Sequence, residues 1–253
     1  DDPHKPLFNR AVCGQYPPGS SINPFIAAAA LTEGVITPAT TIMSTGSISV
    51  PNQYNPNVVY TFHDWKAEGH GIVNVVKALA ESVNTFFYTV GGGYGNNKGL
   101  GIDRMKDYLE TFGFGKESGI DLMGESSGTV PDPLWKKEVL QESWGLGDTY
   151  NVSIGQGNLL VTPMQLAQGY AMLANGGMLM RPYLVKETKN ADGAVVLQNS
   201  PRIMRESVID RKNLNTIRKG LREAVLSGTA QRLKDLPVAV AGKTGTAQAG
   251  QDK

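Results

Sequence analysis

The sequence predicts an α+β fold in which an antiparallel β-sheet is flanked by helices. Apolar residues recur at helical spacing in several segments, and short alternating segments are typical of strands. The two kinds of segment do not alternate one for one, which argues against a doubly wound parallel sheet. With 253 residues, 40% hydrophobic and 19% charged, the chain can bury a core as one domain over residues 1–253.

The first predicted helix covers residues 20–33. Pro24 lies in its first turn, alanines form its body, and Gly34 ends it. Two short β-like stretches follow, at 47–51 and 58–62. This part of the chain therefore begins with a helix that presents Ser20 at its start.

The remaining elements follow from the same patterns. Apolar spacing, a Thr-Pro helix start and glycine stops predict helices at 73–81, 85–90, 102–112, 163–174 and about 210–225. Strand-like segments are predicted at 178–186 and 238–249.

Composition excludes several classes of function. Lys and Arg number 24 against 23 Asp and Glu, and a net charge of +1 does not favour nucleic acid as a partner. The single cysteine, Cys13, cannot form an internal disulfide, and the three histidines make no zinc pattern, so no metal or cofactor is predicted. The longest apolar run, 25–31, is too short to span a bilayer. The polar start at Asp1 and the end after a strand-like segment suggest a fragment of a longer protein.

Three short motifs are candidates for chemistry. Ser20 follows a Pro-Pro-Gly turn, and the positive end of a helix dipole favours an alkoxide there, although such a serine can also be only a helix cap. Ser82 and Asn84 lie between two helices, where small polar side chains point into a cleft or simply form a turn. Lys243-Thr244-Gly245-Thr246 lies on a predicted strand that could pair with an extended peptide, or be an edge strand with a solubilising lysine.

Taken together, the three motifs resemble a known signature. Ser-x-x-Lys, Ser-x-Asn and Lys-Thr-Gly, in this order, are typical of penicillin-binding proteins and class A β-lactamases. Two of the three are intact in this chain, whereas Asn23 occupies the lysine position of the first.

The resemblance extends over nearly the whole chain. It includes Tyr16-Pro17-Pro18-Gly19-Ser20, Asp64-Trp65-Lys66, Gly69-His70-Gly71, the stretch from Ser82 to Tyr88, and Gly155-Gln156-Gly157 before Thr162-Pro163. In these segments the chain resembles the transpeptidase domain of the elongation-type (class B) penicillin-binding proteins, the penicillin-binding protein 2 group. The resemblance implies the penicillin-binding transpeptidase or serine β-lactamase-like fold.

The same resemblance implies a reaction and roles for residues. Ser20 would attack the D-alanyl-D-alanine end of a peptidoglycan stem peptide, and β-lactams would trap this serine. Ser82 and Asn84 would move protons and hold the acyl amide, and Lys243 and Thr244 would bind the substrate carboxylate next to Gly245. The backbone N–H groups of Ser20 and Thr246 would form the oxyanion hole.

The resemblance also implies a setting. Such proteins carry a membrane helix and a pedestal domain, and their transpeptidase domain faces the periplasm from the inner membrane. The implied partners are stem peptides, β-lactam antibiotics, a membrane glycosyltransferase and proteins of the elongation complex. This chain would then be a fragment without the anchor, the pedestal and the terminal strands.

Asn23 leaves the base of the reaction open. In the family a neutral lysine at this position accepts the serine proton, whereas an amide has no basic lone pair near neutral pH. Three explanations remain: an engineered or miscalled residue, a natural pseudoenzyme acting as a scaffold or sensor, or an enzyme in which Ser82 and Lys243 relay the proton.

Other interpretations of the chain concern polar residues outside the motifs. A D,D-carboxypeptidase or a β-lactamase is a further alternative, and Glu125 and Glu142 fall in the interval where a class A β-lactamase has its deacylating glutamate. Asp64, Trp65 and His70 suggest a loop that packs over the cleft rather than a polar site. Tyr150, Asn151 and Ser153 could line the substrate cleft.

Overall fold

The computed structural model describes residues 5–52, 55–206 and 209–247. Eight α-helices occur in these ranges: α1 Asn23–Thr32, α2 Val75–Glu81, α3 Asn84–Gly92, α4 Ile102–Thr111, α5 Pro133–Trp135, α6 Leu146–Ser153, α7 Pro163–Ala174 and α8 Arg211–Leu226. Short 3-10 turns cover Gly19–Ile22 and Gln231–Leu233, and a π turn covers Lys136–Leu140. None of the helices among the described residues has both the length and the apolar character needed to cross a membrane.

The strands are short and form antiparallel pairs. They are β1 Ile42–Ser44, β2 Ser47–Pro51, β3 Val59–His63, β4 Gly71–Val73, β5 Leu179–Met180, β6 Glu187–Lys189, β7 Val195–Gln198 and β8 Ile203–Arg205. In the described part of the chain β1 pairs with β4, β2 with β3, β5 with β8 and β6 with β7. The α+β class is confirmed, with several small antiparallel sheets in place of one continuous sheet.

Helix α1 is the centre of the core. All of its residues from Asn23 to Leu31 are buried, because its alanine-rich body lets α3, α4 and α8 pack around it. The ring of Phe25 contacts the rings of Phe112, Phe114 and Tyr170, with centroids 5.3, 4.9 and 5.4 Å away. The helix that follows Ser20 is therefore fixed by packing on every side.

Helices α2 and α8 pack closely through a glycine. A Cβ atom on Gly220 of α8 would lie 2.7 Å from a methyl group of Leu79 on α2, so this contact requires glycine. The inward residues Leu214, Ile217 and Leu221 are buried, as their helical spacing predicts. Helix α8 thereby supports α2, at the end of which Ser82 lies.

The predicted strand at 238–249 is wrong over 238–247, and its last two residues lie outside the described residues. No strand is assigned between 238 and 247, because the backbone of this segment bonds to other elements. The N–H of Gly242 donates to Leu221 O of α8 at 3.0 Å, and the carbonyl of Thr246 accepts a hydrogen bond from Gln156 at 3.1 Å. The strand predicted at 178–186 is also shorter, since only Leu179–Met180 pairs.

Candidate active site

The turn that carries Ser20 is tied to two other segments by close backbone contacts. Ser20 lies in the 3-10 turn Gly19–Ile22 rather than in α1 itself. Gly19 has a φ of +54°, and a Cβ atom there would lie 2.5 Å from Thr246 O. The N–H of Gly19 donates to Gly155 O at 2.8 Å. The candidate nucleophile is therefore held directly beside the Lys-Thr-Gly segment.

Ser82 adopts a strained backbone conformation at the end of α2. Its φ of 59° and ψ of 50° are left-handed, which a residue other than glycine adopts only when its surroundings enforce it. The indole Nε1–H of Trp65 is shared between Glu81 O and Ser82 O, both at 3.1 Å. Asn84 then begins α3. The tight turn brings Ser82 and Asn84 to the same cleft.

Asp64 and His70 form a buried brace behind this turn. The Asp64 carboxylate accepts hydrogen bonds from the N–H and the hydroxyl of Thr85 at 2.9 and 3.0 Å, at the start of α3. The His70 ring bridges Asp64, at 3.3 Å, and Glu81, at 2.6 Å. The side chains of His70 and Asp64 are at most 1% exposed. The brace therefore connects the two helices that flank Ser82, which supports a structural role for Asp64 and His70.

Lys243 contacts Ser82 directly. Its Nζ lies 2.7 Å from Ser82 Oγ and 2.9 Å from Thr244 O. Burial lowers the pKa of the Lys243 amine to about 7. Such an amine is close to half neutral at neutral pH, and in the neutral form it can accept a proton from Ser82.

A cleft of about 600 Å³ collects most of the predicted site residues. The predicted residues that line it are Ser20, Ser82, Asn84, Thr244, Gly245 and Thr246. Lys243 reaches the cleft through its contact with Ser82 Oγ. The three motifs, which are far apart in the sequence, are thus brought to one cavity.

Asn23 lies behind the cleft and is fully buried. Its Nδ2 donates to Ser153 O at 3.4 Å, whereas its Oδ1 has no hydrogen-bond partner among the described residues. A buried carbonyl oxygen without a donor is costly, on the order of 1–3 kcal/mol. One turn after Ser20, the chain therefore has an unpaired amide oxygen at the position where the resemblance implies a basic amine.

Sequence reasoning gave no site role to five residues that line the cleft: His63, Tyr88, Ile154, Gln156 and Thr229. Gln156 donates to Thr246 O at 3.1 Å, and Thr229 Oγ1 lies 2.6 Å from Thr244 Oγ1. The Gly-Gln-Gly pattern was the available signal for Gln156. No local pattern indicates Thr229, since its contact depends on how α8 ends.

The other polar candidates divide between the cleft and the core. Asp64, Trp65 and Asn151 line the cleft. Tyr150 and Ser153 are instead buried in the core. The hydroxyl of Tyr150 donates to Gly93 O, and the hydroxyl of Ser153 donates to Tyr150 O.

The two glutamates considered for a β-lactamase lie elsewhere. Glu125 accepts from the N–H groups of Ser118 and Gly119 at 2.7 and 3.0 Å, so it closes its own loop. Glu142 pairs with Lys136 at 3.4 Å. Neither lines the cleft.

Comparison with known proteins gives consistent matches. The family model described as the penicillin binding protein transpeptidase domain matches residues 1–253. A peptidoglycan D,D-transpeptidase MrdA from Acinetobacter baumannii is 37% identical over 255 residues, which cover 98% of this chain and 35% of the relative. The chain thus spans about a third of the length of that relative.

Two solved structures have the same fold. One is penicillin-binding protein 2 of Pseudomonas aeruginosa in complex with WCK 5153, which superposes with a TM-score of 0.82 at 34% identity. The match covers 98% of this chain and 54% of the chain in that structure. A complex of penicillin-binding protein 2 and MreC from Helicobacter pylori gives 0.81 at 32% identity, covering 98% and 43%. These matches confirm the resemblance that the motifs indicate.

Proposed function

Because the chain belongs to the family of penicillin-binding protein transpeptidase domains, we propose that it catalyses peptidoglycan D,D-transpeptidation through a serine acyl-enzyme. The observation that carries this proposal is the 2.7 Å contact between Lys243 Nζ and Ser82 Oγ, beside the cleft that Ser20 lines. It supplies a proton acceptor in a chain without lysine at position 23. β-Lactam antibiotics acylate the same serine.

The reaction has two halves. Ser20 Oγ attacks the carbonyl carbon of the penultimate D-alanine, and its proton passes to Ser82 and Lys243. The C–N bond then breaks, the proton goes to the departing amine, and D-alanine leaves. An amine of a neighbouring stem peptide attacks the ester, gives up a proton by the same route, and releases Ser20.

The remaining residues bind and orient the donor peptide. Asn84 holds the acyl amide, and Lys243, Thr244 and Thr246 face its terminal carboxylate. The backbone N–H groups of Ser20 and Thr246 stabilise the oxyanion. The close approach between Gly19 and Thr246 O supports this assignment, because it brings both backbones to one point.

The whole protein works in a larger assembly. In this proposal the chain is the transpeptidase domain of a longer, membrane-anchored protein, and it acts on the periplasmic face of the inner membrane. The relative solved with MreC supports a scaffold protein of the elongation complex as one partner, next to a membrane glycosyltransferase.

Asn23 favours a second candidate function. A buried amide with an unpaired oxygen, at the position of the family's base, is what a catalytically impaired domain would also carry. Such a domain would retain the cleft and act as a scaffold or sensor in the same complex.

Covalent labelling by a fluorescent penicillin, detected by intact mass, separates the two functions. The transpeptidase proposal expects one acyl adduct on the parent chain and none on Ser20→Ala. Ser21→Ala is the matched control, because Ser21 is adjacent and its hydroxyl donates to Pro18 O at 2.6 Å. A parent chain that stays unlabelled while Asn23→Lys labels would establish the impaired form instead.

A further inference from the structure

The hydroxyl groups of Thr229 and Thr244 meet inside the cleft. Their Oγ1 atoms lie 2.6 Å apart, and both residues line the cavity. Thr229 lies in the loop after α8, two residues beyond the C-cap Ser227. A residue outside the three motifs thus contacts one of the residues assigned to the substrate carboxylate.

Thr229 is fixed in place by α2. Its backbone N–H donates to Ala80 O at 3.0 Å. The preceding residue, Gly228, approaches the same carbonyl so closely that a Cβ atom would lie 2.1 Å from Ala80 O. The backbone at Thr229 is therefore held against α2 by two close contacts.

Either hydroxyl can donate across the contact between Thr229 and Thr244. Thr229 Oγ1 has two acceptors in reach, Ala80 O at 3.4 Å and Thr244 Oγ1 at 2.6 Å. Hydroxyl hydrogen bonds are strongest near about 2.7–2.8 Å, and Ala80 O already accepts the backbone N–H. When Thr229 donates across the 2.6 Å contact, the proton of Thr244 is free for a ligand.

The charges of the cleft make this proton important. A carboxylate only accepts hydrogen bonds. Lys243 reaches the cleft, but its amine already contacts Ser82 Oγ and Thr244 O at 2.7 and 2.9 Å. Among the described residues that line the cleft there is no arginine. Hydroxyl donors must then contribute much of the binding of a carboxylate.

We propose that Thr229 is a positioning residue for carboxylate recognition, which donates to Thr244 Oγ1 and so directs the Thr244 hydroxyl to the terminal carboxylate of the ligand. The inference rests on the proposed function and assigns to the Thr229 hydroxyl a part in the preference for a free carboxylate over a C-terminal amide. A hydrogen bond to a charged acceptor is stronger than one to a neutral amide, so the preference depends on the Thr244 proton.

Binding in a Ser20→Ala background tests this inference without any covalent step. The probes are N-acetyl-D-alanyl-D-alanine and its C-terminal amide, titrated by ligand-observed NMR. Thr229→Val is expected to weaken binding of the acid by about tenfold and of the amide by less than about threefold. Thr229→Ser keeps the hydroxyl and should bind as the parent does. Thr216→Val on α8, where Thr216 donates to Lys212 O at 3.1 Å, is the matched control.

Several results would overturn the inference: an unchanged affinity of Thr229→Val for the acid, an equal loss for acid and amide, or a parent that does not prefer the acid. Thr229→Ala removes the hydroxyl without adding bulk and decides the question if valine lowers the melting temperature. Failure of the proposed function would appear in a different experiment, as absence of penicillin labelling of the parent chain. The NMR titration is independent of that result, because binding of the dipeptide requires no acylation.

Discussion

Lys243 Nζ and Ser82 Oγ lie 2.7 Å apart although 161 residues separate them in the chain. The contact joins the second and third motifs into one proton-accepting unit. Since Asn23 cannot accept a proton, the proposed function assigns this pair as the base for Ser20. The kinetics of acylation should therefore follow the ionisation of Lys243.

The first prediction concerns pH. Burial lowers the pKa of Lys243 to about 7, so the neutral amine increases as the pH rises through this value. The second-order rate of acylation by a penicillin should rise by about tenfold from pH 6 to pH 8. The titratable groups that line the same cleft are His63, Asp64 and Tyr88. The Asp64 carboxylate accepts a hydrogen bond from the N–H of Thr85. Burial, and to a smaller extent the charge of Asp64, raises the pKa of Tyr88 to about 12.

Lys243→Met is the variant that checks the assignment. It should lower acylation by about 10² or more and remove the pH dependence between 6 and 8. Lys219→Met, an exposed lysine of α8, should leave both unchanged. A parent rate that is flat across this range would contradict Lys243 as the base.

The second prediction concerns Asn23. Asn23→Lys should place an amine one turn after Ser20 and raise the acylation rate by about 10², the lower end of general-base effects, since the proposed function already gives the parent a base in Lys243. Asn23→Met has a similar length without an amine and should show no increase. If Asn23→Met accelerates acylation as much as Asn23→Lys, the gain would come from filling space and not from a base.

The third prediction concerns the brace behind Ser82. The two oxygens of the Asp64 carboxylate accept hydrogen bonds from the N–H groups of Thr85 and Trp65. In Asp64→Asn one of these oxygens is replaced by an NH2 group, so one of the two N–H groups loses its acceptor. The free energy of unfolding should fall by about 2 kcal/mol, measured by urea denaturation, and acylation should slow because the Ser82 turn loosens.

Asp192→Asn, a change on an exposed residue, is the matched control for the loss of one charge and should leave unfolding unchanged. If Asp64→Asn and Asp192→Asn have the same free energy of unfolding, the Asp64 contacts make no net contribution to stability. Slower acylation without lower stability would assign Asp64 to the reaction itself.

Local patterns could predict most of the helices but not α5 and α6, whereas tertiary packing decides the site. Helix α8, Arg211–Leu226, lies within one residue of its predicted range because its one-sided apolar spacing is a local signal. The segment of Lys243 alternates as a strand does, yet its backbone bonds to α8 and Gln156 instead. The contact between Thr229 and Thr244 follows from where α8 ends, which no motif encodes.

The final prediction concerns the close approach of Gly155 to Gly19. Gly155 has a φ of +74°, and a Cβ atom there would lie 2.1 Å from Gly19 O. Gly155→Ala therefore adds a steric conflict to the strain of a left-handed backbone. We expect it to lower the free energy of unfolding by about 3 kcal/mol, from about 1–2 for the backbone and the rest for overpacking.

Gly34→Ala separates the two contributions. Gly34 has a φ of +67° with no atom within 4 Å of the added Cβ, so it bears the backbone cost alone, about 1 kcal/mol. Only Gly155→Ala should also displace the Ser20 turn and slow acylation, because Gly19 N donates to Gly155 O at 2.8 Å. If both variants acylate at the parent rate, the turn tolerates the displacement and the Gly19–Gly155 contact is not needed to position Ser20.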